Sequence, residues 1–315
     1  MRPTSGQAAP LYTILGGAPM KYTSRTQAEA LAWQTEVRAK LFRLLKIDDL
    51  VTAQTEIPLD TTVLSSETRD GYSLIELEMN ATCSRRHKAV LTLPTGVNAA
   101  APAVVCIHGH GGNRRVVYEE TSIYKGFAAA LAERGFATIS ADVGQHEVYE
   151  EGRLLMGERL WDVMRCVDYL VSRPKVDASR IGCAGLSLGG EMAMWLGAMD
   201  ERVAATVSSG FLTFMDQMEQ NHCLCWKFDG LRELVDYPDL YSLMAPRPVL
   251  CQNGLQEGPT QFYVPLARQA MEQIKVIYGD FGKPELATLD VHEGAHEINL
   301  PTLLAFFAEH LAAGG

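Results

Sequence analysis

A mostly parallel α/β sheet with helices on both faces is predicted for this 315-residue chain by three observations. From Pro102 onward, apolar runs ending in glycine-bearing loops alternate with helical stretches, the rhythm of successive β-α-β units. One of these strand-to-helix junctions carries Gly185-Leu186-Ser187-Leu188-Gly189, where a sharp turn is expected. Before Pro102 the period changes from helical to alternating, which marks an antiparallel lead-in.

The elements follow in order. Residues 1–20 carry no sustained apolar run and are expected as a flexible tail rather than a signal peptide. Residues 21–315 are expected as one domain. A helix is predicted over 24–46, with Ala28, Leu31, Ala32, Val37, Leu41 and Leu44 at helical spacing. Asp70-Gly71 between two β-like runs predicts a hairpin, and "HKAVLTLP" a third strand, so 21–100 reads as a helix plus antiparallel strands. Further strands are expected at "AVVCIHG", "FATISADVG", "RIGCAGLS", "VAATVSSGF", "RPVLCQNG" and "ATLDVHEG", most of them followed by helices. Residues 212–246 break this rhythm. They are too long for a connection and rich in Met, aromatic and Cys side chains, as expected of a lid-like insertion or of a helical patch packed on the body.

Composition narrows the function classes. With 28 Lys and Arg against 38 Asp and Glu, the net charge of −10 disfavours nucleic acid, which needs a basic surface. No apolar run is long enough to span a bilayer, so no membrane partner is expected. Seven scattered cysteines suggest reduced thiols and a cytoplasmic location. His222-Cys223-Leu224-Cys225 has the look of a metal clip, but no second Cys/His pair stands at zinc-site spacing, so no metal is expected. Oligomeric state is left open.

Ser187 is the candidate nucleophile. The flanking glycines relieve clashes at a strained turn that lifts the hydroxyl out of the sheet end. Such a hydroxyl needs a base held by a third group. His296, on the loop after the last strand, is the expected base, with His292 assigned to the strand itself. Glu257, the first carboxylate after "RPVLCQNG", is the expected acid, and Asp239 is the alternative. The backbone N–H groups of His110, in His108-Gly109-His110-Gly111-Gly112, and of Leu188 are expected to bind an oxyanion. His108 is expected to be structural. Arg114, His146, Met215, Met218, His222 and Trp226 are candidates for the substrate pocket, each with a surface or core role as the rival. Glu191 lies in the first turn after the nucleophile, where the helix dipole alone favours an acid.

Together "IHGHGG", "DVMRCVDYLVSRPKVDASRIGCAGLSLGGE", "AMDERVAATVSSG", "DLYSLMAPRPVLCQNG" and "EGAHE" resemble the α/β-hydrolase superfamily, in its dienelactone-hydrolase-like and acetyl xylan esterase-like branches. The resemblance runs from about Pro102 to the C-terminus. It implies an eight-stranded, mostly parallel sheet, a Ser-acid-His triad and hydrolysis of small carboxylic esters without a cofactor. The acid is usually Asp in these branches and is Glu257 here, and true dienelactone hydrolases carry cysteine where Ser187 stands. The expectation is a serine carboxylesterase for small esters, such as acetyl esters of sugars or plant-derived alcohols. A peptidase or amidase with the same triad, or an inactive binding protein, are the alternatives.

Overall fold

Among the described residues, nine strands form a single sheet in the order β1-β2-β3-β5-β4-β6-β7-β8-β9. The computed structural model describes residues 20–23, 25–96 and 99–311, so the expected N-terminal tail lies outside the described residues except for Met20. The strands β1 (Thr62–Thr68), β2 (Tyr72–Asn80) and β3 (Arg86–Pro94) make the antiparallel lead-in. The remaining strands are β4 (Ala101–Ile107), β5 (Ala137–Ala141), β6 (Val176–Leu186), β7 (Val203–Ser209), β8 (Val249–Gly254) and β9 (Ala287–His292). They run parallel to one another, and β3 joins them through an antiparallel pairing with β5.

The count exceeds by one the eight strands that the resemblance implied. The outermost strand, β1, is exposed at every residue, as its polar sequence TVLSSET allows for a sheet edge. Next to the paired register Thr68↔Ser73, the hairpin turns at Gly71 with φ 80°, as the Asp-Gly dipeptide predicted.

Period-two alternation sorts the parallel strands between two cores. Ala103, Val105 and Ile107 of β4 face the core that holds α4 (Leu155–Val171), α5 (Leu188–Met199) and α9 (Val264–Asp280). Val104 and Cys106 face the opposite core, built with α3 (Phe127–Glu133) and α10 (Leu300–Leu311). Burial on both faces explains why these strands read as continuous apolar runs.

The first helix, α1 (Gln27–Leu44), starts where Thr26 accepts the Glu29 N–H, but its inward face differs from the expected one. Ala28, Leu31 and Ala32 point to solvent, while Ala30, Gln34, Val37, Arg38 and Leu41 are buried. Two polar residues set this rotation. Gln34 donates to the carbonyls of Ser242 and Ala245, at 3.2 and 2.8 Å, and Arg38 Nε donates to Ala198 O at 2.8 Å. The Ser242 and Ala198 carbonyls belong to the last turns of helices, which lack intrahelical donors and carry partial negative charge.

Residues 212–246 fold as a packed patch. They contain α6 (Met215–Asn221), α7 (Leu231–Leu234) and α8 (Tyr237–Ser242). Phe214, Met215, Trp226, Leu231, Tyr237 and Leu240 join the larger core, and Asp236 ties two helix starts together by accepting the N–H groups of Met215 and Tyr237, the first residues of α6 and α8. Cys223 and Leu224, between α6 and α7, are exposed.

Candidate active site

The chain runs from β4 to β5 on one side and then returns across β4 to β6. This reversal opens a crevice at the carboxyl ends of β4 and β6, the place where open α/β sheets bind ligands. Ser187 sits there, between β6 and α5, with φ 64° and ψ −126°. Positive φ is costly for a residue with a Cβ and persists only where the surroundings enforce it. Here the Ser187 N–H is tied to Ser209 O at 3.0 Å. Gly189 lets the following helix come down on the sheet, since a Cβ at that position would lie 2.1 Å from Ile107 O.

The structure brings His296 and Glu257 together from different loops. His296 Nδ1 lies 2.9 Å from Glu257 Oε2, and the Glu257 side chain is fully buried. Its other oxygen accepts the Gly254 N–H at 3.2 Å. The imidazole stacks on Phe262, with centroids 5.4 Å apart and planes at 14°. On its other flank is Gly210, whose φ is 55° and where a Cβ would lie 2.7 Å from His296 Cε1. The same point is 3.1 Å from Leu186 Cδ1. Ser187 and His296 therefore both rest against the Ser209–Gly210 backbone, and among the described residues His296 Nε2 has no hydrogen-bond partner.

Asp239 is engaged elsewhere. Its carboxylate accepts the backbone N–H groups of Lys21, Tyr22 and Asp236, at 2.9, 3.2 and 2.9 Å. His292 ends β9, as expected, and its Nδ1 accepts the Gly294 N–H.

The loop after β4 lies directly against Ser187, since a Cβ at Gly109 would be 3.0 Å from Ser187 Cβ. Tyr124 fixes this loop by accepting the Gly109 N–H at 2.7 Å. His108 fixes it from below. Its Nε2 accepts the Val143 N–H at 3.1 Å and its Nδ1 donates to Gly109 O at 2.8 Å, and burial lowers its pKa. Among the described residues, neither the His110 N–H nor the Leu188 N–H has a protein acceptor. Leu188 is the first residue of α5, so its amide is one of the donors a helix start leaves unpaired.

A small cavity of about 40 Å³ is lined by Ser187, Leu188, His110 and Phe262, and by Met218, His222 and Cys223 from the insertion. Glu191 also lines it. Glu191 is buried, one carboxyl oxygen has no partner, and burial raises its pKa to about 8, with Arg159 opposing.

Three expected pocket residues are elsewhere. Arg114 is held by Asp142 at 2.8 Å and Glu76 at 3.2 Å, because β2 and the loop after β5 present acids to it. Met215 and Trp226 are core residues, drawn inward by the apolar body beneath the insertion. His146 does not line the cavity either, but it stacks on His110 with centroids 5.3 Å apart. His146 Nε2 also lies 3.3 Å from Cys223 Sγ. The second Cys/His pair that chain spacing did not provide is thus supplied by loops after two different strands. A larger polar groove of about 1010 Å³ lies beyond the loop of Gly111 and Gly112 and is lined by the ion-paired Arg85, Glu150 and Asp162.

The sequence model of the family described as glucuronyl esterase, fungi, matches residues 78–211 of this chain. The protein YtaP of Bacillus subtilis (strain 168) is 26% identical over 251 residues, which is 72% of this chain and 82% of YtaP. Among solved structures, a glucuronoyl esterase from Solibacter usitatus superposes with a TM-score of 0.69 at 14% identity, covering 96% of this chain and 99% of that one. An acetyl xylan esterase from Paenibacillus sp. R4 superposes with a TM-score of 0.65 at 19% identity, covering 96% and 100%. Sheet order, strand directions and these superpositions agree: the chain has the α/β-hydrolase fold.

Proposed function

We propose that the protein is a serine carboxylesterase that removes small acyl groups, acetyl above all, from hydroxyls of sugars or similar polar alcohols. The observation that carries this reading is the His296 Nδ1–Glu257 Oε2 contact of 2.9 Å beside a serine held at φ 64°. In the proposed reaction Ser187 Oγ attacks the ester carbonyl while His296 Nε2 takes its proton. Glu257 holds the imidazole in the tautomer that this requires. The amides of His110 and Leu188 donate to the developing oxyanion. His296 then returns the proton to the leaving alcohol, and water attacks the acyl-enzyme through the same base. A cytoplasmic location is part of the proposal, supported by seven free thiols.

The preference for acetyl follows from space. A cavity of about 40 Å³ has room for only a few water-sized groups, which suits a short acyl group better than a long chain. Sugar esters are favoured by the names of the esterases that share the fold. The test is turnover of p-nitrophenyl acetate, butyrate and octanoate alongside an acetylated sugar and an aminoacyl anilide. Rates should fall as the acyl chain lengthens, and the anilide should be nearly inert. Faster cleavage of the anilide would replace this reading by an amidase.

A further inference from the structure

We propose that His110, His146, Cys223 and Cys225 hold one zinc ion in a closed four-ligand site that fastens the insertion to the loops carrying the nucleophile's surroundings. One ligand atom from each residue lies within 4.8 Å of all the others. The atoms are paired nitrogen to sulfur. His110 Nε2 is 3.2 Å from Cys225 Sγ, and His146 Nε2 is 3.3 Å from Cys223 Sγ. With Zn–S near 2.3 Å and Zn–N near 2.0–2.1 Å, the nitrogen–sulfur edge of a zinc tetrahedron is about 3.5 Å. The four side chains are therefore close to the required spacing before any ion pulls them inward. Two thiolates with two imidazoles form a recurrent structural zinc set, and the mix of soft and borderline donors disfavours calcium or magnesium.

Arg159 places a cation beside one of the sulfurs. It is fully buried, and no carboxylate lies within ion-pair distance of it among the described residues. Its Nη1 instead points at Cys225 Sγ, at 3.3 Å, while its Nη2 donates to the carbonyl of Gln145, next to His146. A buried guanidinium needs a counter-charge, and a metal-bound thiolate provides one. The route for the ion is open, because His110, His146 and Cys223 are exposed. Binding releases the two thiol protons to solvent.

The site joins three segments that are distant in the chain: the loop after β4, the loop after β5 and the turn at 223–225. His110 and Cys223 also line the Ser187 cavity. Zinc would fix the cover of that cavity relative to the His110 amide without touching substrate, since all four positions of the tetrahedron are taken by protein.

The experiment needs no catalytic assay. The full chain, purified under reducing conditions and stripped with a chelator, is titrated with Zn²⁺ against a chromogenic competitor and, separately, with Co²⁺. One metal per chain is expected. The cobalt form should show tetrahedral visible bands and a thiolate-to-cobalt charge-transfer band. The Cys223→Ser/Cys225→Ser variant should bind zinc at least 100-fold more weakly, His146→Ala should be weakened in the same direction, and Ser187→Ala should bind as the parent. The proposal is overturned if the parent binds zinc no more tightly than the double variant, or if the cobalt form lacks the thiolate band. A Cys223–Cys225 disulfide that survives reduction would overturn it as well. The cobalt spectrum is read on the unaltered protein, so a misfolded variant leaves the proposal open to refutation.

Discussion

The two walls of the Ser187 cavity are built on different principles. One wall consists of strand ends and the loops that leave them, and its geometry is enforced by backbone. Ser187 is forced to positive φ, Gly210 leaves room for the imidazole, and buried Glu257 is anchored by the Gly254 amide. The other wall is the insertion, whose cavity-facing side chains, Met218, His222 and Cys223, sit on a short helix and an exposed turn. In the proposed reaction the first wall places the reacting atoms, and the second sets how much space they have. A perturbation of the first should therefore change the chemical rate, and one of the second should change substrate preference or stability.

The largest effect is expected at the nucleophile. Ser187→Ala should retain the fold by circular dichroism and lose p-nitrophenyl acetate turnover by a factor on the order of 10⁴ to 10⁶. Near-parental turnover would sink the assignment. The two candidate acids then give a direct contrast. Glu257→Gln would present an amide donor to His296 Nδ1 and lock the wrong tautomer, for a loss of about 10³ to 10⁴ in kcat. Asp239→Ala, which removes the acceptor of three backbone amides, should instead cost roughly 3 kcal/mol in denaturant unfolding, with kcat changed only a few-fold. The reverse pattern would exchange their roles.

Backbone enforcement is tested at Gly210. A methyl group there would meet His296 at 2.7 Å, and displacing the imidazole by about 1 Å should cost on the order of 10² in rate. Unchanged kinetics in Gly210→Ala would show that the ring is not held by that contact.

A smaller effect is expected at Glu191, where α5 meets the insertion. In the fold its carboxyl remains neutral up to about pH 8, whereas its ordinary pKa is 4.5. The unfolded chain therefore releases this proton first, and stability falls as pH rises from about 4.5 to 8, by at most roughly 5 kcal/mol. Glu191→Gln should flatten this part of the profile, read as melting temperature between pH 5 and 8.5. A parallel decline in parent and variant would remove Glu191 as its cause. The smallest effect is expected at Arg114, since neither it nor its partners Glu76 and Asp142 line the cavity. Arg114→Ala should alter kcat/KM by less than about two-fold, and a larger change for neutral esters would place its charge within reach of the substrate.

The same contrast explains what could be read from the chain. The strands, the turn at Ser187 and the loops bearing Glu257 and His296 follow from period, glycine placement and element order, all of which are local. Glu257 was separable from Asp239 by position alone, as the first acid after a strand end. The inward face of α1 was not legible, because Gln34 and Arg38 are buried by carbonyls about 160 to 211 residues away in the chain. The ion pairs that hold Arg114 were not legible, because its partners, Glu76 and Asp142, come from other elements. Met215 and Trp226 carry no mark that distinguishes a core residue from a cavity cover, since both need large apolar side chains.

By itself the sequence determined the alternation that makes a parallel sheet, the strained serine turn and the order of the serine, the acid and the histidine. These are set by the conformational limits of a few adjacent residues. Only the tertiary structure decided which side chains share the cavity, and it alone put His110 and His146 beside Cys223 and Cys225. Those residues sit on loops leaving different elements: the loops of His110 and His146 meet because β4 and β5 are hydrogen-bonded side by side, and the insertion after β7 reaches them across β6.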